Sequence, residues 1–412
     1  MSNLYWQRLF FGLVALSLAL VTLWHDGQAG LNAPISPLTF FSSPVPASPS
    51  NRVVYLPLLL KGGPPFRAWT SLPYRHYLPM ILQSRGAAQP TPAAAEQAST
   101  PVPLPTPAWP PALSEPGRSK LGLHVIQNNT PDIMEFIRRT KPPVVKALGG
   151  FGWATDVKEA SPETVTIGRL LEQPGEGIME GDPEETARAF VSRHLEEYRL
   201  NPGVDYWEGW NEPVPTSRMD WYARFEIART RAMAEHGFRV AIGGFATGTP
   251  EWQEFEDFLP AIQVALDHEG ILSLHEYAAP TLQHGMGQAL PGRPTYPDRG
   301  SLMLRYRWWY RDFLEPRGLV IPLVISEGGI DGQVKQDLTA PGLGWRDFTD
   351  YWGQHGLGTY IDQLAWYDSQ LEQDSYVIGV AIFTAGSPDG QWQSFDMTSI
   401  LPQLATYMVG RQ

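Results

Sequence analysis

Two glutamates in this chain each follow an apolar run and precede a residue that stops or frees the backbone. The first is Glu212, in Tyr206-Trp207-Glu208-Gly209-Trp210-Asn211-Glu212-Pro213. Pro213 cannot donate a ladder hydrogen bond, so a strand stops there and leaves Asn211 and Glu212 at its C-terminal end. A loop glutamate capping the next helix would fit the same stretch. The second is Glu327, in Val324-Ile325-Ser326-Glu327-Gly328-Gly329, where the glycines let backbone approach a ligand closely. A second carboxylate in a matching place favours chemistry over capping. Two neighbouring carboxylates resist ionising together, so one can keep its proton as an acid while the other attacks as an anion.

The elements that would bring them together recur at a steady rhythm. Strand-like runs are expected over 121–126, 144–148, 165–171, 204–210, 239–245, 271–277, 319–326 and 377–383. Helix-like segments alternate with them, from a start at 129–132 running to 139, and then over 182–198, 219–236, 252–267, 301–314, 359–373 and 399–409. Eight strands in this alternation predict an α/β fold, a (β/α)8 barrel, with Glu212 ending strand four and Glu327 ending strand seven on the face where such barrels carry their sites. An open doubly wound sheet would also alternate. Against it, no Gly-x-Gly-x-x-Gly follows the first strand.

Trp207-x-x-Trp210-Asn211-Glu212-Pro213 and Ile325-Ser326-Glu327-Gly328 resemble the two signatures of clan A retaining glycoside hydrolases, over about residues 120–412. The resemblance implies that Glu212 is the acid/base and Glu327 the nucleophile of a β-glycosidase acting on an oligo- or polysaccharide. It also implies that His275-Glu276-Tyr277 matches a His-x-Tyr on strand six, with Tyr277 orienting Glu327 and His275 supporting the cleft. Asn211 would donate to the substrate 2-hydroxyl. Lys146 would stand where many relatives carry an arginine that supports the nucleophile. Trp210, His124, at the end of strand one, and Trp392 complete the expected substrate-binding set. Strand eight departs from the family pattern: Phe383 replaces the usual Trp, or Trp392 reaches in from the following loop. Strand alternation turns Glu276 to the other face. Trp153, Trp345 and Trp352 could stack on sugars, although packing is the simpler reading. The implied chemistry needs no metal and no organic cofactor.

Composition narrows the alternatives. The 412 residues carry a formal charge of -12, which argues against a nucleic-acid binder. There is no cysteine, which excludes disulfides and thiolate zinc sites. A metal hydrolase built from His124, His275 and carboxylates lacks the His-Glu-x-x-His spacing. The stronger rival is a non-catalytic carbohydrate-binding barrel. Hydrophobic residues at 43% supply the core a large disulfide-free domain needs.

Ahead of the barrel the chain changes character. Residues 1–29 carry Arg8 and an apolar stretch, with Gly27-Gln28-Ala29 at the close, as in a signal peptide or a membrane anchor. Residues 30–118 hold about half of the 39 prolines and read as a Pro/Ala/Ser-rich linker. Two cassettes interrupt it, at 54–61 and 76–83, each with Tyr-Leu-Pro before three apolar residues. They are either strands that dock on a partner or the cell envelope, or sticky segments of a spacer. The expectation is an extracellular or cell-surface protein with a monomeric catalytic domain over 119–412.

Overall fold

A computed structural model of the chain describes residues 108–111, 117–126, 130–215, 217–334 and 343–411. The expected signal or anchor and both Tyr-Leu-Pro cassettes lie outside the described residues. Among the described residues no helix is long and apolar enough to cross a membrane.

Eight parallel strands close into a barrel in chain order. They are β1 (Leu121–Ile126), β2 (Val144–Leu148), β3 (Val165–Arg169), β4 (Tyr206–Glu208), β5 (Arg239–Phe245), β6 (Ile271–Ala278), β7 (Leu323–Ile330) and β8 (Val377–Ala385). Around them run α1 (Pro131–Thr140), α2 (Ala154–Ala160), α3 (Pro183–Leu200), α4 (Met219–Glu235), α5 (Glu254–Asp267), α6 (Tyr306–Trp309), α7 (Glu315–Arg317), α8 (Thr349–His355), α9 (Tyr360–Leu371) and α10 (Leu401–Val409). A π-helical stretch, Tyr310–Leu314, joins α6 to α7.

The local signals explain the starts of the helices. Asp182 accepts the amides of Glu184 and Glu185 at 2.9 Å, with Pro183 at the first helical position of α3. Thr359 and Asp362 form a reciprocal capping box that opens α9. The strands read as near-continuous apolar runs because helices cover one face and the barrel interior the other. Val144, Val165, Ile167, Tyr206, Ala241, Ile271, Val324, Ile378 and Ala381 form a separate inner column. The larger core lies between strands and helices. Trp109, inside the stretch expected as linker, packs against the inner column, so the barrel begins to be built before residue 119.

Two shifted strands bear on the site, and one helix is new. Strand β4 has only three residues, so Glu212 lies in the loop beyond it rather than at its last rung. Strand β7 is displaced towards the C-terminus, which places Glu327 inside it. Helix α2 fills the connection between β2 and β3, where no helix was expected.

Candidate active site

The mouth of the barrel is assembled from every strand between β1 and β8. On β4 the side chains alternate: Tyr206 joins the inner column, Trp207 packs outward against Phe151 and Tyr198, and Glu208 returns inward. Past the strand, Glu212 takes a left-handed backbone, φ 45°. Its amide donates to the Gly244 carbonyl at 3.0 Å. Gly244 itself sits at φ 60°, and a Cβ there would stand 2.9 Å from the Trp210 carbonyl oxygen, so only glycine lets β5 reach this loop.

Glu327 owes its aim to an irregularity. His275 pairs with Glu327 across β6 and β7, whereas Leu274 pairs with Ile325, so Ser326 is passed over in the register. This bulge turns Ser326 and Glu327 both towards the barrel axis, a use of bulges that recurs beside active sites.

The two carboxylates meet at His275. Its Nδ1 lies 2.9 Å from Glu212 Oε1 and 3.7 Å from Glu327 Oε2, and one oxygen of each glutamate lies within 4.8 Å of the other. A carboxylate partner at 2.9 Å assigns the Nδ1 hydrogen to the bond with Glu212. Three convergent ligand atoms could in geometry cage a cation. However, Glu327 already holds Lys146 Nζ at 2.9 Å and the Arg169 guanidinium at 3.4 Å, and a divalent ion would have to displace or oppose both.

The surroundings of the two glutamates differ. The Glu212 side chain is 36% exposed, that of Glu327 only 8%. Burial alone would raise the Glu327 carboxyl, but the groups that face it, His275 first and then Lys146 and Arg169, hold it well below the usual carboxylate range. The Tyr277 hydroxyl donates to Glu327 Oε2 at 3.1 Å. His124 Nε2 lies 3.6 Å from Oε1, and full burial, outweighing the pull of Glu327, drops its pKa to about 3, so it stays neutral. At the end of β7, burial lifts Asp331 to about 6, with the charges of Glu212 and Glu327 adding to the effect.

The expected site residues therefore separate. Glu212, Glu327, His275 and Tyr277 come together. Asn211 stands beside them, with its amide donating to Glu172 at 2.8 Å and its side-chain oxygen buried without a hydrogen-bond partner among the described residues. Trp392 reaches in from the loop after β8 and meets Phe383 edge-on at 5.1 Å. The two alternatives for strand eight thus combine: Phe383, Trp392, Phe395 and Tyr277 form one aromatic cluster beside the nucleophile candidate.

Three expected substrate contacts are corrected. Trp210 is 1% exposed and stacks on Phe225 at 4.2 Å beneath α4, where a substrate cannot reach it. Lys146 and His124 are fully buried under Glu327, so they touch the carboxylate and not a sugar; for Lys146 this is the supporting place that the resemblance implies. Trp153, Trp345 and Trp352 are buried as well; the Trp345 and Trp352 indoles donate to the Phe395 and Pro280 carbonyls. They pack.

Sequence reasoning passed over Arg169, Glu208, Ser273 and Ser326. Their signal was present as charge inside apolar strands: Lys146, Arg169 and Glu208 each fall two residues after an inner-column position, hence on the inward face.

No family model and no curated protein sequence matches the chain. Solved structures do. XacCel5A, recorded in complex with cellopentaose, is 12% identical with a TM-score of 0.42, over 70% of this chain and 99% of that one. A family 39 glycoside hydrolase from Bacteroides cellulosilyticus is 14% identical with a TM-score of 0.43, over 70% of this chain and 64% of its own. An endo-β-1,4-mannanase from Thermotoga petrophila is 10% identical with a TM-score of 0.39, over 71% and 77% of the two chains. At such identity the likeness is one of fold, and the chemistry rests on the residues of this chain.

Proposed function

We propose that this chain is a retaining β-glycosidase that cleaves an oligo- or polysaccharide by double displacement. The observation that carries the reading is the approach of Glu212 and Glu327, one oxygen of each within 4.8 Å. Inverting enzymes hold their carboxyl groups about 6.5–9.5 Å apart to admit a water; retaining ones need about 5–5.5 Å, because the second carboxylate itself attacks.

The surroundings divide the labour. Glu327, ionised and braced by Lys146, Arg169 and Tyr277, attacks the anomeric carbon. Glu212 Oε1 accepts from His275, which leaves Oε2 to carry the proton given to the departing glycosidic oxygen. Once the ester to Glu327 forms, its negative charge is gone and Glu212 as carboxylate draws a proton from water. Water then attacks the same carbon and frees Glu327. Asn211 meets the sugar 2-hydroxyl, and the Phe383–Trp392 cluster forms an apolar wall of the cleft. The expected signal or anchor and the proline-rich segment support an exported enzyme tethered near a surface.

Labelling with a panel of 2-deoxy-2-fluoro glycosides, followed by intact mass and peptide mapping, tests this. Covalent mass on the Glu327 peptide is the expected result. No label and no hydrolysis of the matching aryl glycosides, with retained binding on a glycan array, would make the barrel a sugar binder instead. Glu212→Gln should lose about 10²–10⁴ in kcat on substrates with poor leaving groups and far less on dinitrophenyl glycosides, which need no proton.

A further inference from the structure

Beneath the two carboxylates of the mouth lies a third that double displacement does not use. Glu208 is buried at the end of β4, with Oε2 2.7 Å from Lys146 Nζ and 3.8 Å from Arg169 Nε. Its Oε1 accepts the Ser273 hydroxyl at 2.6 Å. The Ser273 and Ser326 hydroxyls are 2.8 Å apart, and Lys146 Nζ donates to Ser326 Oγ at 3.3 Å. Because the Ser273 proton goes to Glu208, Ser326 supplies the hydrogen between the two hydroxyls. Lys146 donates to Ser326, Ser326 to Ser273, Ser273 to Glu208, and Glu208 pairs back to Lys146. The third direction of the ammonium is left for Glu327, 2.9 Å away.

We propose that Glu208 is a positioning residue for the nucleophile: it fixes Lys146 and Arg169 beneath Glu327 and cancels the surplus positive charge that the two would otherwise impose. A lysine alone is a mobile point charge on a flexible stem, a poor substitute for a forked guanidinium. The ring of Ser326, Ser273 and Glu208 supplies the missing geometry. Two cations and two carboxylates leave the cluster neutral overall. The other groups facing Glu327 are His124 from β1, Glu212 from the loop after β4, His275 and Tyr277 from β6, and Asp331 at the end of β7.

The bookkeeping of charge gives a signed test. Without Lys146, two carboxylates share Arg169 and the proton affinity of Glu327 rises. Without Lys146 and Glu208 together, one cation again faces one carboxylate and the affinity falls back. Lys146→Met, Glu208→Gln and the double variant are made in the full chain. The readouts are the acid limb of kcat/KM on an aryl glycoside and the ¹³C titration of the Glu327 carboxyl, assigned by its loss in Glu327→Gln. Lys146→Met should raise the midpoint by about 1–3 pH units. Adding Glu208→Gln should bring it most of the way back. A double variant whose midpoint stays with that of Lys146→Met overturns the proposal, because a merely structural loss adds to the damage and does not reverse it. If circular dichroism shows Lys146→Met unfolded, Arg169→Met, from the less buried cation, gives the same comparison.

The catalytic meaning rests on the glycosidase reading, whereas the carboxyl titration does not. Reversal of the shift in a chain without turnover supports the charge coupling and removes that reading. Covalent label on Glu327 without reversal keeps the reading and removes the proposal.

Discussion

Glu276 and Glu327 are both buried, sit on adjacent strands and lie one register step apart, yet the barrel wall separates their fates. Glu327 faces the axis, where Lys146 and Arg169 keep it ionised. Glu276 faces the helices, where burial lifts its carboxyl to about 7 although four hydrogen bonds favour the charged form. Those bonds come from the amides of Leu304, Arg305 and Tyr306 and from the Tyr367 hydroxyl, all neutral donors. The Arg305 guanidinium nearby goes instead to the Ser301 and Pro250 carbonyls. Burial alone therefore does not set the ionisation of a carboxylate; whether charged partners offset it decides. One glutamate is the proposed nucleophile; the other fastens the segment that enters α6.

The sharpest break in this symmetry should be Glu327→Ala. Turnover should fall by about 10⁴ or more while circular dichroism stays that of a folded barrel. More than a tenth of the activity remaining would reassign the nucleophile. Each of the two carboxylates also accepts one tyrosine hydroxyl, Glu327 from Tyr277 and Glu276 from Tyr367. Tyr277→Phe should cost about tenfold in kcat/KM with little loss of stability. Tyr367→Phe should leave kcat/KM unchanged and destabilise by about 1 kcal/mol in denaturant titrations. Activity loss in both would mean that the two faces are coupled.

The smallest effect is a difference in pH response. The carboxyl of Glu276 is raised above 4.5, so its contribution to stability is full below that value and is lost as pH rises through about 7. Glu276→Gln presents an amide N–H₂ to a nest of donors and should destabilise by about 1–3 kcal/mol at pH 5. That gap should narrow by pH 8. Glu327 has the opposite sign: depressed in the fold, it supports stability above the ordinary carboxylate range and ceases to do so as pH falls. Unfolding free energies at the two pH values, in wild type and variant, decide whether the gap narrows.

Much of this was legible in the chain. β1, β2 and β5 fall where their apolar runs begin and end, and alternation alone turned Glu276 away from His275 and Tyr277. What escaped is pairwise and distant. Glu208 sits between Trp207 and Gly209 in a strand-like run, and nothing local says that its partner is Lys146, 62 positions earlier, or that Arg169 joins them. Trp210 was misread because the aromatic beside Asn211 looks like a sugar platform; α4 then supplies Trp221, Tyr222 and Phe225 to cover it. The bulge that aims Glu327 leaves no mark in composition.

The left-handed backbone of Glu212 has a further consequence, for how this protein could be changed. A residue with a Cβ at φ 45° carries roughly 1–2 kcal/mol of strain that glycine would not. Glu212→Gly would relieve that strain, at the cost of the bond to His275 and of a freer unfolded chain, and on the proposed reading it would also remove the proton donor. Where the relief outweighs those losses, a library screened for heat resistance without an activity screen would drift towards sturdier and silent barrels. On that reading, durability and activity would be traded at a single backbone angle.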